Sequence, residues 1–344
     1  MQNKPKVLYL INYAPNYRDS FLTELGKFVD LTVTSYRGSE ANLKDPNGRR
    51  GYKYIPLERR RFFGINFNHQ EFTIANGDFD VIIVGYTLWN PFRMVNLFRR
   101  KKRVICEGLI YGRNNDVLTK LLRKIFVNAG EGILVYSEMV KNRLVNETKK
   151  PIIVFNNTSY GRRDIKPVIL SPVTEKLNII WVGRYQERKR VERLHELAKR
   201  DSRVVVRLIG PGIKDAFAGL ESLENLTIFD AAYEDDLYEH FKWCHLVLNP
   251  GGAGLLVMNT ARFQRSIVID NNSHHGPEIQ LAIDGGQDFI DFSNIDNVIR
   301  YIDRIFDDPR YLERKGAELC AKMYNYTIEY MAQQYLKAIK GEWN

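Results

Sequence analysis

Leu177-Asn178-Ile179-Ile180-Trp181-Val182-Gly183-Arg184-Tyr185-Gln186-Glu187-Arg188-Lys189-Arg190 joins an apolar run to a glycine turn and two spaced cations. The run 177–182 predicts a strand buried on both faces, as in a parallel sheet. Helical spacing follows over 191–198, so the segment reads as strand, tight turn and helix. Arg184 and, five residues on, Lys189 stand in that turn. Backbone N–H groups and cations at such a junction suit a phosphate, although solvated bases on an ordinary connecting loop would give the same letters.

Working outward, short apolar runs alternate with helical patterns along the whole chain, which predicts parallel α/β architecture. Strands are expected at 6–11, 30–34, 81–84, 103–106, 132–135 and 151–155, with an additional one at 52–57 and a helix at 20–26. A second series is expected at 177–182, 204–209, 226–229, 246–248 and 267–269, and the tail from Pro309 reads as wholly helical. Residues 156–177 are rich in Asn, Arg, Pro and Ser and lack periodicity, as a linker does. At 344 residues the chain is long enough for two cores of ordinary size.

Hydrophobic residues make up 44% and charged residues 27%, which fits a soluble globular protein and excludes a disordered or fibrous one. Cys106, Cys244 and Cys320 are scattered without a pairing pattern, so a reducing cytoplasm is expected. No run approaches 18 apolar residues, and the start Met-Gln-Asn-Lys-Pro-Lys lacks an apolar signal core. The net charge of +10 is concentrated in the first half, at Arg59–Arg61, Arg99–Arg103 and the group Lys120, Arg123 and Lys124. No zinc-finger spacing, RNP-like strand or basic recognition helix accompanies them, so nucleic acid is not expected as a partner. Arg59–Arg61 followed by Phe62, Phe63 and Phe67 suits an anionic membrane surface and reads equally as a solvated basic face, so the expectation is a cytoplasmic protein with peripheral attachment to the inner membrane face as one option.

Four features of the second half fall in order. The turn with Gly183, Arg184 and Lys189 comes first. Val206–Ile209 then runs into Gly210-Pro211-Gly212. Leu248-Asn249-Pro250 opens into Gly251-Gly252-Ala253-Gly254-Leu255, and Asn271-Asn272-Ser273-His274-His275-Gly276-Pro277-Glu278 closes the series. Each follows an expected strand, and ligands of open parallel sheets sit beyond the carboxyl ends of strands. Two adjacent histidines without a third ligand at metal spacing argue against zinc.

This order resembles the nucleotide-sugar half of glycosyltransferase family 4, a GT-B family of retaining enzymes. The opening Pro15-Asn16-Tyr17-Arg18, the Tyr136-Ser137 turn and Phe155-Asn156-Asn157-Thr158 are similar to that family's first half. The resemblance implies two Rossmann-like domains facing across a cleft. They would be 1–160 for the acceptor and 177–325 for the nucleotide-sugar, joined by a linker at 161–176. A final helix, 326–344, would return to the first domain. Arg184 and Lys189 match the residues that clamp the donor diphosphate. Gly183, Gly210, Gly251, Gly252, Ala253, Gly254, Leu255, Asn259, His275 and Glu278 match donor-binding positions. Two features depart from the family: Arg190 replaces the usual glycine after the lysine, and Gly251 and Asn259 stand where many members carry two glutamates.

Acceptor candidates are Asn12, Tyr17, Arg18, Asp19 and Tyr86, with Glu107 as a group that orients or deprotonates an acceptor hydroxyl. Glu107 reads equally as a loop carboxylate balancing Arg103 and Arg113. Asp78-Phe79-Asp80 imitates the Asp-x-Asp metal motif of another glycosyltransferase fold. It leads directly into a strand, however, so no metal and no resident cofactor are expected. The resemblance thus implies transfer of a sugar from a nucleoside-diphosphate sugar to a glycan or lipid-linked acceptor in bacterial surface polysaccharide synthesis. The lost glutamates leave a silent nucleotide-sugar-binding subunit or a sugar-nucleotide epimerase as alternatives.

Overall fold

A computed structural model describes residues 4–36, 51–58, 61–66, 69–112, 116–308 and 310–343. The chain divides into two compact units, residues 1–159 with 327–344, and residues 160–326.

The first unit runs β1 (Lys6–Leu10), α1 (Asp19–Gly26), β2 (Asp30–Tyr36), β3 (Lys53–Leu57), a short hairpin of β4 (Arg61–Phe62) and β5 (Ile65–Asn66), and α2 (Gln70–Ile74). It continues with β6 (Val81–Gly85), α3 (Pro91–Met94), β7 (Arg103–Gly108), α4 (Val117–Val127), β8 (Gly132–Val135), α5 (Glu138–Leu144) and β9 (Ile152–Val154). Seven strands form one parallel sheet in the order β3-β2-β1-β6-β7-β8-β9. Side chains alternate across it: Val7 and Tyr9 join one apolar cluster, Leu8 and Leu10 the other. Both faces are covered, which is why these strands read as continuous apolar runs.

The second unit runs β10 (Leu177–Val182), α6 (Glu192–Arg200), β11 (Val204–Ile209), α7 (Ile213–Ala216), β12 (Leu226–Phe229) and α8 (Glu234–Trp243). Then come β13 (Leu246–Asn249), α9 (Leu256–Arg262), β14 (Ser266–Asp270), α10 (Ile279–Asp284), β15 (Asp288–Ile290), α11 (Ile295–Asp307) and α12 (Tyr311–Met323). Its sheet is parallel, in the order β12-β11-β10-β13-β14-β15. Residues 161–176 lie along this unit: Lys166 and Val168 donate to the Arg262 and Phe263 carbonyls, and the buried Arg265 donates to the Val168 carbonyl.

The helical tail is interrupted at 324–326, and Thr327 then caps α13 (Ile328–Lys340) by accepting from the Tyr330 N–H. That last helix returns to the first unit, where Met331, Tyr335 and Ile339 pack with Tyr9, Phe21 and Leu25.

Candidate functional site

In each sheet the strand order reverses once, between β1 and β6 and between β10 and β13. Chains leaving two such strands part to opposite sides, opening a crevice at their carboxyl ends. In the second unit that crevice is a cavity of about 240 Å³. Trp181, Val182, Gly183, Arg184, Gln186 and Lys189 line one side, and Asn249, Gly254, Leu255, Leu256 and Asn259 the other. Among the described residues, Arg184 makes no hydrogen bond or ion pair, and it is exposed. Lys189 is half-buried and donates to the Gly252 carbonyl. Burial, with help from the Arg188 charge, lowers its pKa, while Glu278 opposes this. A bound anion would relieve the same cost.

The glycines are there because backbones touch. A Cβ on Gly251 would lie 2.5 Å from the Arg188 and Lys189 backbone, and one on Gly210 would lie 1.9 Å from the Gly183 carbonyl oxygen. Gly210 also has φ +145°, which L side chains rarely adopt. A glutamate at 251 therefore cannot fit unless the Arg188–Lys189 turn moves. Arg190 has φ +52° and ψ +35°, the left-handed region. Glycine suits that backbone, and here the arginine is anchored at 3.2 Å to Asp270, which is fully buried.

Donor N–H groups in the glycine turn are fewer than the sequence suggests. Ala253 donates to His275 Nδ1 at 3.1 Å, and Gly252 donates to the Arg188 carbonyl at 3.4 Å. His275 must keep Nδ1 unprotonated to accept, and burial lowers its pKa accordingly. Glu278 is half-buried beside Lys189, and burial raises its pKa. Asn259 accepts from the Tyr160 hydroxyl at 2.7 Å. Gln186 and Asn249 also line the cavity. Sequence reasoning passed over them, although Gln186 lies between the two cations.

The acceptor candidates of the first unit sit differently. Arg93, fully buried, occupies the crevice between β1 and β6: it donates to the Ile11 carbonyl at 3.0 Å, to Asn12 Oδ1 at 2.7 Å, and through Nε to both Glu71 oxygens. Arg18, 4% exposed, donates to the Tyr9 and Tyr136 hydroxyls and to Asn157, and lies 3.8 Å from Glu107. Arg18, Tyr136 and Asn157, one residue from each of the three first-half motifs, thus meet around one guanidinium.

Glu107 lies inside β7 rather than after it, 3% exposed, and accepts from Tyr335 of α13 at 3.1 Å. Arg103 pairs instead with Glu131, and Arg113 lies outside the described residues. Asp19 accepts from Tyr52, the Tyr86 hydroxyl is buried without a hydrogen-bond partner among the described residues, and Tyr17 is exposed.

Asp78 pairs with Lys6, and Asp80 accepts from the Lys6 N–H, both at the amino end of the sheet. Among the described residues no group of three His, Cys, Asp or Glu side chains is placed to hold a metal, and no helix is long and apolar enough to cross a membrane. Phe62 and Phe63 are exposed on the β4–β5 hairpin, while Arg59, Arg60 and Phe67 lie outside the described residues. Arg99, Lys102 and Arg103 all donate to carbonyls of the chain, so most of the 99–103 run is engaged internally.

No family model and no curated protein sequence matches the chain. Among solved structures it is similar to a glycosyltransferase of Rickettsia africae, with a TM-score of 0.72, 13% identity and 98% of both chains covered. It is also similar to HepE of Anabaena, solved in complex with UDP and glucose, with a TM-score of 0.66, 12% identity, and 98% of this chain and 99% of that one covered. The UDP-GlcNAc 2-epimerase of Neisseria meningitidis, bound to UDP-GlcNAc, gives 0.64, 14%, and 98% and 100%. At such identities the likeness concerns the fold, and the fold is GT-B: two Rossmann-like units, with the last helix returning to the first.

Proposed function

We propose that the chain is a retaining glycosyltransferase of the family 4 type, moving a sugar from a nucleoside-diphosphate sugar to a hydroxyl of a glycan or lipid-linked acceptor. The setting would be bacterial surface polysaccharide synthesis on the cytoplasmic face of the membrane. The observation that carries this reading is the convergence of Arg184, Lys189 and Asn259 on one cavity at the strand-order reversal of the second unit.

A nucleoside-diphosphate leaving group gains negative charge as the glycosidic bond breaks. Fixed cations already in place stabilise that charge without reorganising solvent. Arg184 has no hydrogen-bond or ion-pair partner among the described residues, and the Lys189 ammonium is held over the Gly252 carbonyl. Asn259 accepts from Tyr160 and so keeps amide N–H groups to offer a ribose hydroxyl. With no room for a carboxylate at 251, sugar contacts fall to His275 and Glu278. In a retaining course the acceptor oxygen attacks the anomeric carbon from the face the diphosphate leaves. A departing phosphate oxygen takes the acceptor proton.

Incubating the purified chain with a panel of nucleoside-diphosphate sugars tests the reading. Slow hydrolysis to sugar and nucleoside diphosphate, retained in excess EDTA, is the expected result. Interconversion of two nucleotide-sugars would instead mark an epimerase. Binding without turnover would mark a silent subunit, and a collapse in EDTA reversed by magnesium or manganese would overturn the metal-free course.

A further inference from the structure

α4 turns an apolar face to solvent. Val117, Leu118, Leu121 and Ile125 are 82%, 63%, 55% and 44% exposed. At about 100° per residue these four fall within one arc roughly 100° wide. The opposite side of the helix holds buried Arg123 and Val127. Arg123 is fixed there by Glu147 at 2.8 Å and by the Tyr111 ring. A surface helix ordinarily does the reverse, with aliphatic residues inward and charge outward. A contiguous apolar face left outside marks an interaction surface.

Its margin is basic. Lys120 and Lys124 are exposed beside the apolar arc, and the helix sequence contains no Asp or Glu. Phe98, half exposed, meets the Phe126 ring edge-on at 6.0 Å at the far flank of the helix.

We propose that this face docks on an anionic lipid bilayer, with α4 lying in the interfacial plane, its aliphatic side chains in the headgroup boundary and its lysines among the lipid phosphates. Charge favours a bilayer over a second copy of the chain, because an isologous pairing of this face would set Lys120 and Lys124 against their own equivalents. The helix begins beyond the carboxyl end of β7. With the chain seated this way, the bilayer lies beside that end of the first sheet, where a lipid-linked acceptor would be met. This last step rests on the acceptor class proposed above.

Co-sedimentation with vesicles of phosphatidylcholine alone, and of phosphatidylcholine with phosphatidylglycerol, tests the docking. The chain should pellet with the anionic vesicles only, and less so at high salt. Leu118→Glu with Leu121→Glu, and separately Lys120→Glu with Lys124→Glu, should each weaken partitioning by about tenfold or more. Ile169→Glu, at a position 93% exposed in the second unit, should change nothing. Unaltered melting curves would show that the variants fold. Failure to pellet with anionic vesicles, binding untouched by both double variants, or a solution dimer dissolved by the leucine substitutions would each overturn the proposal. Nucleotide-sugar hydrolysis should be unchanged in the α4 variants. If the wild-type chain pellets but hydrolyses no nucleotide-sugar, the docking stands and the transferase reading falls.

Discussion

The two sheets reverse their strand order once each, yet they treat the resulting crevice in opposite ways. In the first unit, Arg93 fills it from within and Glu71 neutralises it, both fully buried. In the second unit, glycines bring backbones into contact, Arg184 has no hydrogen-bond or ion-pair partner among the described residues, and a cavity remains. The same architecture thus yields a crevice whose buried cation is paired within the chain and one whose exposed cation has no partner among the described residues. The difference lies in where the charge finds its partner. A cation satisfied inside the chain holds the fold, whereas a cation left without a partner at a strand end is available to a ligand. Charge content alone does not separate the two, because both crevices carry arginine.

The sharpest way to break this comparison is to remove one side of the buried pair. Glu71→Ala leaves the Arg93 guanidinium buried without its carboxylate, which costs about 3–5 kcal/mol. Urea unfolding should show the loss, and a change below about 1 kcal/mol would mean that water or Asn90 replaces the carboxylate. The open crevice should respond in the other currency. Arg184→Ala and Lys189→Ala should each lower transfer by about 10²-fold or more. Unfolding curves should barely move for Arg184, which is exposed and makes no hydrogen bond or ion pair among the described residues. Wild-type rates in both variants would remove the diphosphate clamp.

A third test lies at Arg190, where the left-handed backbone favours glycine but the side chain reaches buried Asp270. Arg190→Ala and Arg190→Gly both lose the ion pair, and only the alanine keeps the backbone strain. Alanine should therefore be less stable than glycine by about 1–2 kcal/mol. Equal stabilities would mean that the turn relaxes once Asp270 is released.

The sequence made the sheets legible because strands buried on both faces are rich in apolar residues: β6 and β8 are buried throughout, and the expected bounds of β8, β10, β11 and β12 coincide with the strands. It was less informative at strand ends. β7, β13 and β14 extend past their last apolar residue to Glu107 and Gly108, Asn249 and Asp270, and the three polar residues among these are almost wholly buried. A polar residue reads as the start of a loop, and only its partners keep it in the strand. Edge strand β15 was missed for a related reason, being three half-buried residues that begin with an aspartate. Gly183, Gly254, Arg184 and Lys189 were legible as a group and line one cavity, whereas Arg18 and Glu107 read as acceptor groups because partners such as Tyr136 and Tyr335 are remote in sequence.

The smallest expected effect concerns how the open crevice keeps its shape with pH. His275 accepts the Ala253 N–H on Nδ1, so only the neutral ring supports the glycine turn. Burial lowers its pKa below the usual 6.5, and the charges of His274 and Lys189 push the same way, while Asp270 opposes them. The contribution is therefore complete above pH 6.5 and fades as the pH falls through the lowered value. One hydrogen bond of this kind contributes about 0.5–1.5 kcal/mol, so UDP affinity, followed by calorimetry, should fall by about threefold to tenfold across that acid range. Glu278 also takes up a proton there, its pKa being raised by burial, and the two effects need separating. His275→Gln keeps an acceptor without titrating and should flatten the histidine part of the profile. Glu278→Gln should leave that part in place. If His275→Gln keeps the full acid loss, the glycine turn does not depend on this ring, and the open crevice is held by its backbone contacts alone.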